Sequence, residues 1–393
     1  MFFKIWQLLL KVPILQYIRV IFYVFDSIAL AFIRRPVREE GRKRVLIVFP
    51  LSLGDAVMML GAVETLRKEL SSDEYEISVI CHKPYAELFE PYVDCVITTD
   101  IRRASVSPKT RVEFLGACRK QYYDLVLDPT GSEECTPGVF AVNAACASRK
   151  IGVLSARKKN YQLPEVLRNK VFDEVIHKSE QNVHRVRYYS EVLSEAFGIT
   201  IAPKLAELPK HNQLVLPENY VVVFPSASTA IKRWPLEYFV EITERIIEKE
   251  KSQVVVCGTE IDSAIVNQFV GLLDKTIQVT NLVKKTTIPG LIEVISKANL
   301  VFTNDTSVYH IAVASGCKTC CVTGDYVHDM FIDYEKEHLV SKDRVRAVMP
   351  DWDCKNCENN CTKVSGETYP CVLANSVEQV WNNVNSLLEG ESR

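Results

Sequence analysis

Leu300-Val-Phe-Thr-Asn-Asp-Thr-Ser-Val-Tyr-His310 is the stretch from which the fold is read. The apolar run Leu300 to Phe302 predicts a buried strand, and Thr303 to Ser307 is a cluster of small capping residues. Val308, Ile311, Ala312 and Ser315 follow at helical spacing. A strand that ends in a Thr/Asn/Asp cap and opens a helix presents unpaired backbone N–H groups and a positive dipole end. That is a ready site for a phosphate. Thr306 and His310 lie four apart, so both can face one ligand. An ordinary helix cap with a surface histidine fits the same pattern.

Two other segments have the same form. The run Val221 to Phe224 leads into Pro225-Ser-Ala-Ser-Thr-Ala-Ile-Lys-Arg-Trp-Pro235, with Lys232 and Arg233 in a loop before a helix expected to start at Pro235. The run Val45 to Phe49 ends in Pro50-Leu-Ser-Leu-Gly-Asp55. Gly54 permits close backbone approach, and Asp55 is expected to begin a helix that continues to Leu70. Three strand-to-helix turns with polar chemistry suit the carboxyl edges of parallel sheets.

In order and spacing these segments resemble glycosyltransferase family 9, the bacterial lipopolysaccharide heptosyltransferases. The resemblance lies in Ser52-Leu-Gly-Asp55, in Pro225-Ser-Ala-Ser with Lys232-Arg-Trp-Pro235, and in Asn304-Asp-Thr-Ser with His310. It extends to Cys257-Gly-Thr-Glu260 and a cysteine-bearing tail, and covers the chain from about Arg44 onward. It implies a GT-B architecture: two Rossmann-like, doubly wound α/β domains facing across a cleft. The first turn has no Gly-x-Gly-x-x-Gly, which argues against a nucleotide-binding oxidoreductase.

The 393 residues are enough for two domains. A net charge of −2 argues against a nucleic-acid binder. Thirteen cysteines without a framework pattern, and no evident cleavable signal peptide, suit a reducing cytoplasmic setting. Met1 to Ile33 is strongly apolar, yet Lys4, Lys11, Arg19 and Asp26 recur on one side of a helix that Pro13 can kink. No stretch there approaches the ~20 uncharged residues of a membrane span. Residues 1–44 hold nine Lys/Arg against three Asp/Glu. The expectation is an amphipathic helix lying in the plane of an anionic leaflet, at the cytoplasmic face of a bacterial inner membrane, with a helix packed on the protein's own surface as the alternative.

From Arg44 onward, strand and helix patterns alternate. Expected strands are Val45–Phe49, Ile77–Ile80, Cys95–Thr98, Leu125–Leu127, Lys150–Val153, Val221–Phe224, Val254–Cys257, Leu300–Phe302 and Thr319–Val322. The predicted organisation is a membrane-associating segment at 1–43, an acceptor-binding domain at 44–205, a nucleotide-sugar-binding domain at 206–375, and a terminal helix at 376–393.

The resemblance assigns Asp55 as general base, taking the acceptor proton as the new bond forms. A helix N-terminus weakens a carboxylate as a base, so burial under the acceptor has to offset it. Lys232 is the candidate phosphate contact, with Ser226 lining the same cleft and Arg233 a weaker choice. Thr306 adds a hydroxyl, Asp305 orients donor sugar hydroxyls, and His310 either contacts phosphate or sugar or is a packed helix histidine. Glu260, beyond a Rossmann strand, accepts hydrogen bonds from a ribose. Ser307 stands where the family usually has glycine, and it narrows the approach of donor phosphates to the backbone.

Acceptor recognition falls to Ser52 and Gly54 and to a basic face of Arg102, Arg103, Lys109, Arg111, Arg119 and Lys120, followed by Arg149, Lys150 and Arg157-Lys-Lys159. Such a face attracts a phosphorylated or carboxylated glycolipid; a solvated charged face is the plainer explanation for any one member. Cys354, Cys357, Cys361 and Cys371 suit either a structural Zn or Fe–S site or reduced thiols. Catalysis requires no cofactor on this reading. The expected activity is inverting transfer of heptose from ADP-heptose to a lipopolysaccharide core or related glycolipid. The rivals are transfer from another nucleotide sugar, and a non-catalytic glycolipid-binding scaffold at the membrane.

Overall fold

The structure is a computed structural model that describes residues 16–104, 107–130, 137–154, 165–178, 183–210, 213–334, 338, 342–352, 354–357, 361–363, 366 and 368–390. Lys4, Lys11, Pro13 and Arg157-Lys-Lys159 lie outside them. The chain divides into two compact units. Unit 1 comprises Met1–Ser52, Ala62–Gln181 and Tyr189–Ala202; unit 2 comprises Leu53–Gly61, Asn182–Tyr188 and Pro203–Arg393. Leu53–Gly61, expected in the N-terminal domain, therefore groups with unit 2. Its glycines explain why: a Cβ on Gly61 would run into the Lys204 carbonyl, and one on Gly54 would sit 2.6 Å from His310 Cδ2.

Through unit 1, helix α1 (Gln16–Phe32) is followed by β1 (Lys43–Val48), α2 (Leu53–Glu69), β2 (Tyr75–His82), β3 (Cys95–Thr99), α3 (Pro108–Cys118), β4 (Tyr122–Leu127), α4 (Pro137–Ala144), β5 (Cys146–Leu154), β6 (Glu174–His177) and α5 (Arg185–Phe197), the N-terminal parts of α2 and α5 belonging to unit 2. The strands form an all-parallel sheet in the order β3-β2-β1-β4-β5-β6. Unit 2 repeats the plan with β7 (Tyr220–Phe224), α6 (Leu236–Glu250), β8 (Gln253–Val256), α7 (Ser263–Leu272), β9 (Val279–Asn281), α8 (Ile288–Ser296), β10 (Leu300–Asn304), α9 (Ser307–Ala314), β11 (Thr319–Val322), β12 (Val345–Val348) and α10 (Val377–Glu389). Its order, β12-β11-β10-β7-β8-β9, is the same doubly wound topology. In each sheet the order reverses between the first strand and the fourth, and α/β proteins hold ligands outside the carboxyl ends at that point.

The central strands each carry a buried apolar run, as expected for a parallel sheet covered on both faces: β7 is Tyr-Val-Val-Val-Phe and wholly buried. Three strands escape the sequence reading, β6, β9 and β12, and all three are sheet edges. Their burial is partial, so the hydrophobic signal is weak. Helix starts also shift. Pro235 is the N-cap of α6 and not its first residue, α9 starts at Ser307 behind a Thr306 cap, and Asp55 is the third residue of α2.

Helix α1 overturns the expected basic stripe toward a leaflet at the one stripe position whose side chain is described. Asp26 is fully buried and receives two hydrogen bonds from Arg111, at 2.5 and 2.6 Å. Leu30 joins the unit 1 core on the same side, with Ala29 and Ile33 packed against it. Burial raises the Asp26 carboxyl above its ordinary value although Arg111 opposes the shift.

Candidate active site

The unit 2 site is built at the carboxyl ends of β7 and β10. Asn304 closes β10 and is fully buried. Its amide nitrogen donates to the Pro225 carbonyl at 2.8 Å, and its amide oxygen accepts from the Trp234 N–H at 3.0 Å. One side chain therefore clamps both ends of the loop that carries Lys232. The Tyr369 N–H adds a 2.8 Å bond to the Ile231 carbonyl.

Held this way, Lys232 Nζ lies 2.9 Å from Asp305 Oδ2. The Tyr326 hydroxyl donates to the same oxygen at 2.7 Å, and Lys232 Nζ sits 4.9 Å from the centre of the Tyr326 ring. Asp305 is only 6% exposed. Burial alone would raise its carboxyl; the Lys232 charge, His310 and the Tyr326 O–H outweigh it and hold the group below the usual carboxylate range. The ammonium is thus fixed at the carboxyl ends of the central strands, against the residue that precedes the Thr306 cap of α9.

Thr306 is committed to its helix, since its hydroxyl accepts from the Val308 N–H at 3.2 Å. Ser307 is the first residue of α9 and half-buried. His310 is buried, which overturns the surface alternative. Its Nδ1 is 2.8 Å from the Tyr334 hydroxyl, and the ring packs against Gly54. Burial lowers its pKa, against the pull of the Asp305 and Asp55 carboxylates. His310 therefore stands beside the turn that carries Asp55, which is half-buried.

Ser226 is also buried and donates to Asp262 Oδ1 at 2.7 Å. Asp262 Oδ2 accepts from the Thr259 N–H and hydroxyl, both at 2.8 Å, closing a capping box. The turn needs Gly258: φ is +151° and a Cβ would lie 2.8 Å from the Asp262 Cβ. Glu260 projects from this turn, 73% exposed and paired with Lys284.

Several basic residues chosen for acceptor binding have structural partners. Arg111 is buried against Asp26. Arg119 donates to the Leu30 carbonyl of α1 at 2.6 Å and the Ala144 carbonyl of α4 at 3.0 Å, tying down two helix C-termini. Arg149 pairs with Glu174 at 2.5 Å. Arg103, Lys109, Lys120 and Ser52 are exposed, and Arg102 lies in the short helix Ile101–Ala104. Cys354, Cys357 and Cys361 are half-buried and are not joined in disulfides among the described residues. Cys371 is buried against Gly324, and burial pushes its thiol up to about 11. Among the described residues no three His, Cys, Asp or Glu side chains are placed to hold a metal ion, so the suggested ligand set is not assembled.

Asp262, Tyr326 and Tyr334 were missed by the sequence reading. Thr259-x-x-Asp262 is a capping-box spacing, which would have found Asp262. Tyr326 and Tyr334 have no local signal, because they reach Asp305 and His310 only through the fold.

Residues 111–347 match the family described as glycosyltransferase family 9 (heptosyltransferase). Lipooligosaccharide heptosyltransferase 2 of Campylobacter jejuni subsp. jejuni serotype O:6 is 24% identical over 291 residues, 72% of this chain and 81% of that one. The solved glycosyl transferase family 9 protein from Veillonella parvula aligns with a TM-score of 0.71 at 16% identity, covering 90% of this chain and 100% of that one. The E. coli ADP-heptose lps heptosyltransferase II gives a TM-score of 0.65 at 17% identity, covering 89% and 100%. The two parallel six-stranded sheets are those of a GT-B fold.

Proposed function

Because the chain belongs to glycosyltransferase family 9 and is a glycosyltransferase, we propose that it transfers heptose from ADP-heptose to a lipopolysaccharide core or related glycolipid, with inversion at the anomeric carbon. The observation that carries this reading is the Lys232 ammonium fixed between Asp305 and Tyr326 at the carboxyl edge of the unit 2 sheet. A departing nucleoside diphosphate needs positive charge, and a preset cation supplies it without reorganisation.

In this mechanism an acceptor hydroxyl attacks the anomeric carbon and forms the new C–O bond. Asp55 takes the hydroxyl proton. The bond from the anomeric carbon to the diphosphate oxygen breaks, and its electron pair leaves with ADP. Lys232 and the N–H groups that open α9 offset the charge gathering on the diphosphate. Glu260, exposed on its turn, accepts hydrogen bonds from the ribose. The reaction belongs at the cytoplasmic face of the inner membrane, where a lipid-linked acceptor is made available.

The test is release of ADP from ADP-heptose by the purified full chain, with and without truncated lipopolysaccharide. Acceptor-dependent release, with the product anomer determined by NMR, supports the reading. Equal release from UDP- or GDP-sugars would move the donor assignment elsewhere. No release with any sugar nucleotide would overturn the activity.

A further inference from the structure

Helix α1 is amphipathic in an inverted sense. The face bearing Asp26, Ala29, Leu30 and Ile33 packs on unit 1. The opposite face carries Val24, Ile28 and Phe32, spaced four apart and 53%, 58% and 87% exposed. From Val24 to Phe32 the one charged residue is Asp26, and it points inward. A helix packed on its own protein ordinarily shows polar side chains to water. An apolar row on the outside marks a surface that something else covers.

The chain immediately after the row indicates what that is. Arg34 and Arg35 follow Phe32 and are exposed, and Val37 is 76% exposed. Apolar side chains bordered by arginines match the boundary between acyl chains and anionic headgroups. The row runs along the side of the helix, which complements an in-plane arrangement; among the described residues no helix is long and apolar enough to cross a membrane. The buried Asp26–Arg111 pair and the Arg119 bond to the Leu30 carbonyl fasten α1 rigidly to unit 1.

We propose that the outward face of α1, formed by Val24, Ile28 and Phe32 with Arg34 and Arg35, docks on an anionic lipid bilayer and fixes the orientation of unit 1 on it. The choice of a bilayer over another partner rests in part on the lipid-linked acceptor proposed above. The docking itself is measured without any sugar donor, so its failure and that of the activity reading are separable.

The experiment is flotation of the full chain with vesicles of phosphatidylethanolamine and phosphatidylglycerol, beside vesicles of phosphatidylcholine alone. The wild type is expected to float with the anionic vesicles and to be released by salt. Ile28→Asp/Phe32→Asp should lower the bound fraction at least tenfold. Arg34→Glu/Arg35→Glu should weaken binding by about fivefold or more per residue and remove the salt dependence. Val215→Asp, at a 97% exposed apolar residue of unit 2, should change nothing. The milder Phe32→Ser guards against misfolding, and ADP release with a water-soluble acceptor should be unaltered in every variant. Absence of wild-type flotation, or undiminished flotation of Ile28→Asp/Phe32→Asp, overturns the proposal. A dimer that this double variant dissociates, with flotation unchanged, would assign the face to a second copy of the chain.

Discussion

The two units share one topology and spend their charged residues in opposite ways. In unit 2 the charges named by motif gather at the switch point of the sheet, where Lys232 and Asp305 stand beside the cap of α9. In unit 1 several of the charges named by local density hold the scaffold: Arg111 turns inward onto Asp26, Arg119 ties down two helix ends, and Arg149 pairs with Glu174 at the surface. A charge at a strand-to-helix turn has its position set by the backbone, so its role is legible locally. A charge on a helix surface takes its meaning from whatever packs against it.

The largest effect should come from Asp55→Ala. Loss of a general base lowers kcat by roughly 10²–10⁴, while ADP affinity, measured calorimetrically, should stay close to wild type. Equal loss of both would make Asp55 a residue of the fold. Next is Arg111→Ala, which strands a buried carboxylate. Breaking such a pair costs about 3–5 kcal/mol, read by denaturant unfolding, and should leave the donor KM unchanged. A selective rise in acceptor KM with stability intact would return Arg111 to the binding face and erase the contrast between the units. Lys232→Ala should then weaken ADP binding by about 10–100-fold, the worth of one charge-assisted bond of ~1.5–3 kcal/mol. An effect confined to stability would mean that Lys232 serves only Asp305.

Much of the fold was readable because buried parallel strands are continuous apolar runs, as in β1, β7 and β10. Three of the four edge strands were not: Glu174-Val-Ile-His177 and Val345-Arg-Ala-Val348, for example, are short, only partly buried and broken by charged residues, so they lose that signal. In the site, Lys232 and Asp305 were legible from their turns. His310 was named, but its neighbour was not: nothing in Tyr334 or Gly54 alone states that they meet it. The inward turn of α1 was equally hidden. The spacing of Lys4, Lys11, Arg19 and Asp26 fixes a shared side, and only the partner on Arg111 says which way that side faces at Asp26.

The smallest effect expected is that of Tyr326→Phe, and it tests whether the unit 2 cluster is an electrostatic unit. The hydroxyl donates to Asp305 Oδ2, the oxygen that also meets Lys232. Deleting it should cost about 1 kcal/mol at neutral pH, the net worth of one hydrogen bond. The folded Asp305 carboxyl lies below its unfolded value, so its contribution to stability is complete above that unfolded value, about 3.9. It is lost as pH falls through the depressed folded value. Tyr326→Phe moves the folded value back toward the ordinary one. The gap between wild type and variant should therefore be widest near pH 7 and close in acid, in urea titrations run side by side. A gap that is constant with pH would make Tyr326 a packing residue and leave Lys232 and His310 to set the charge of Asp305.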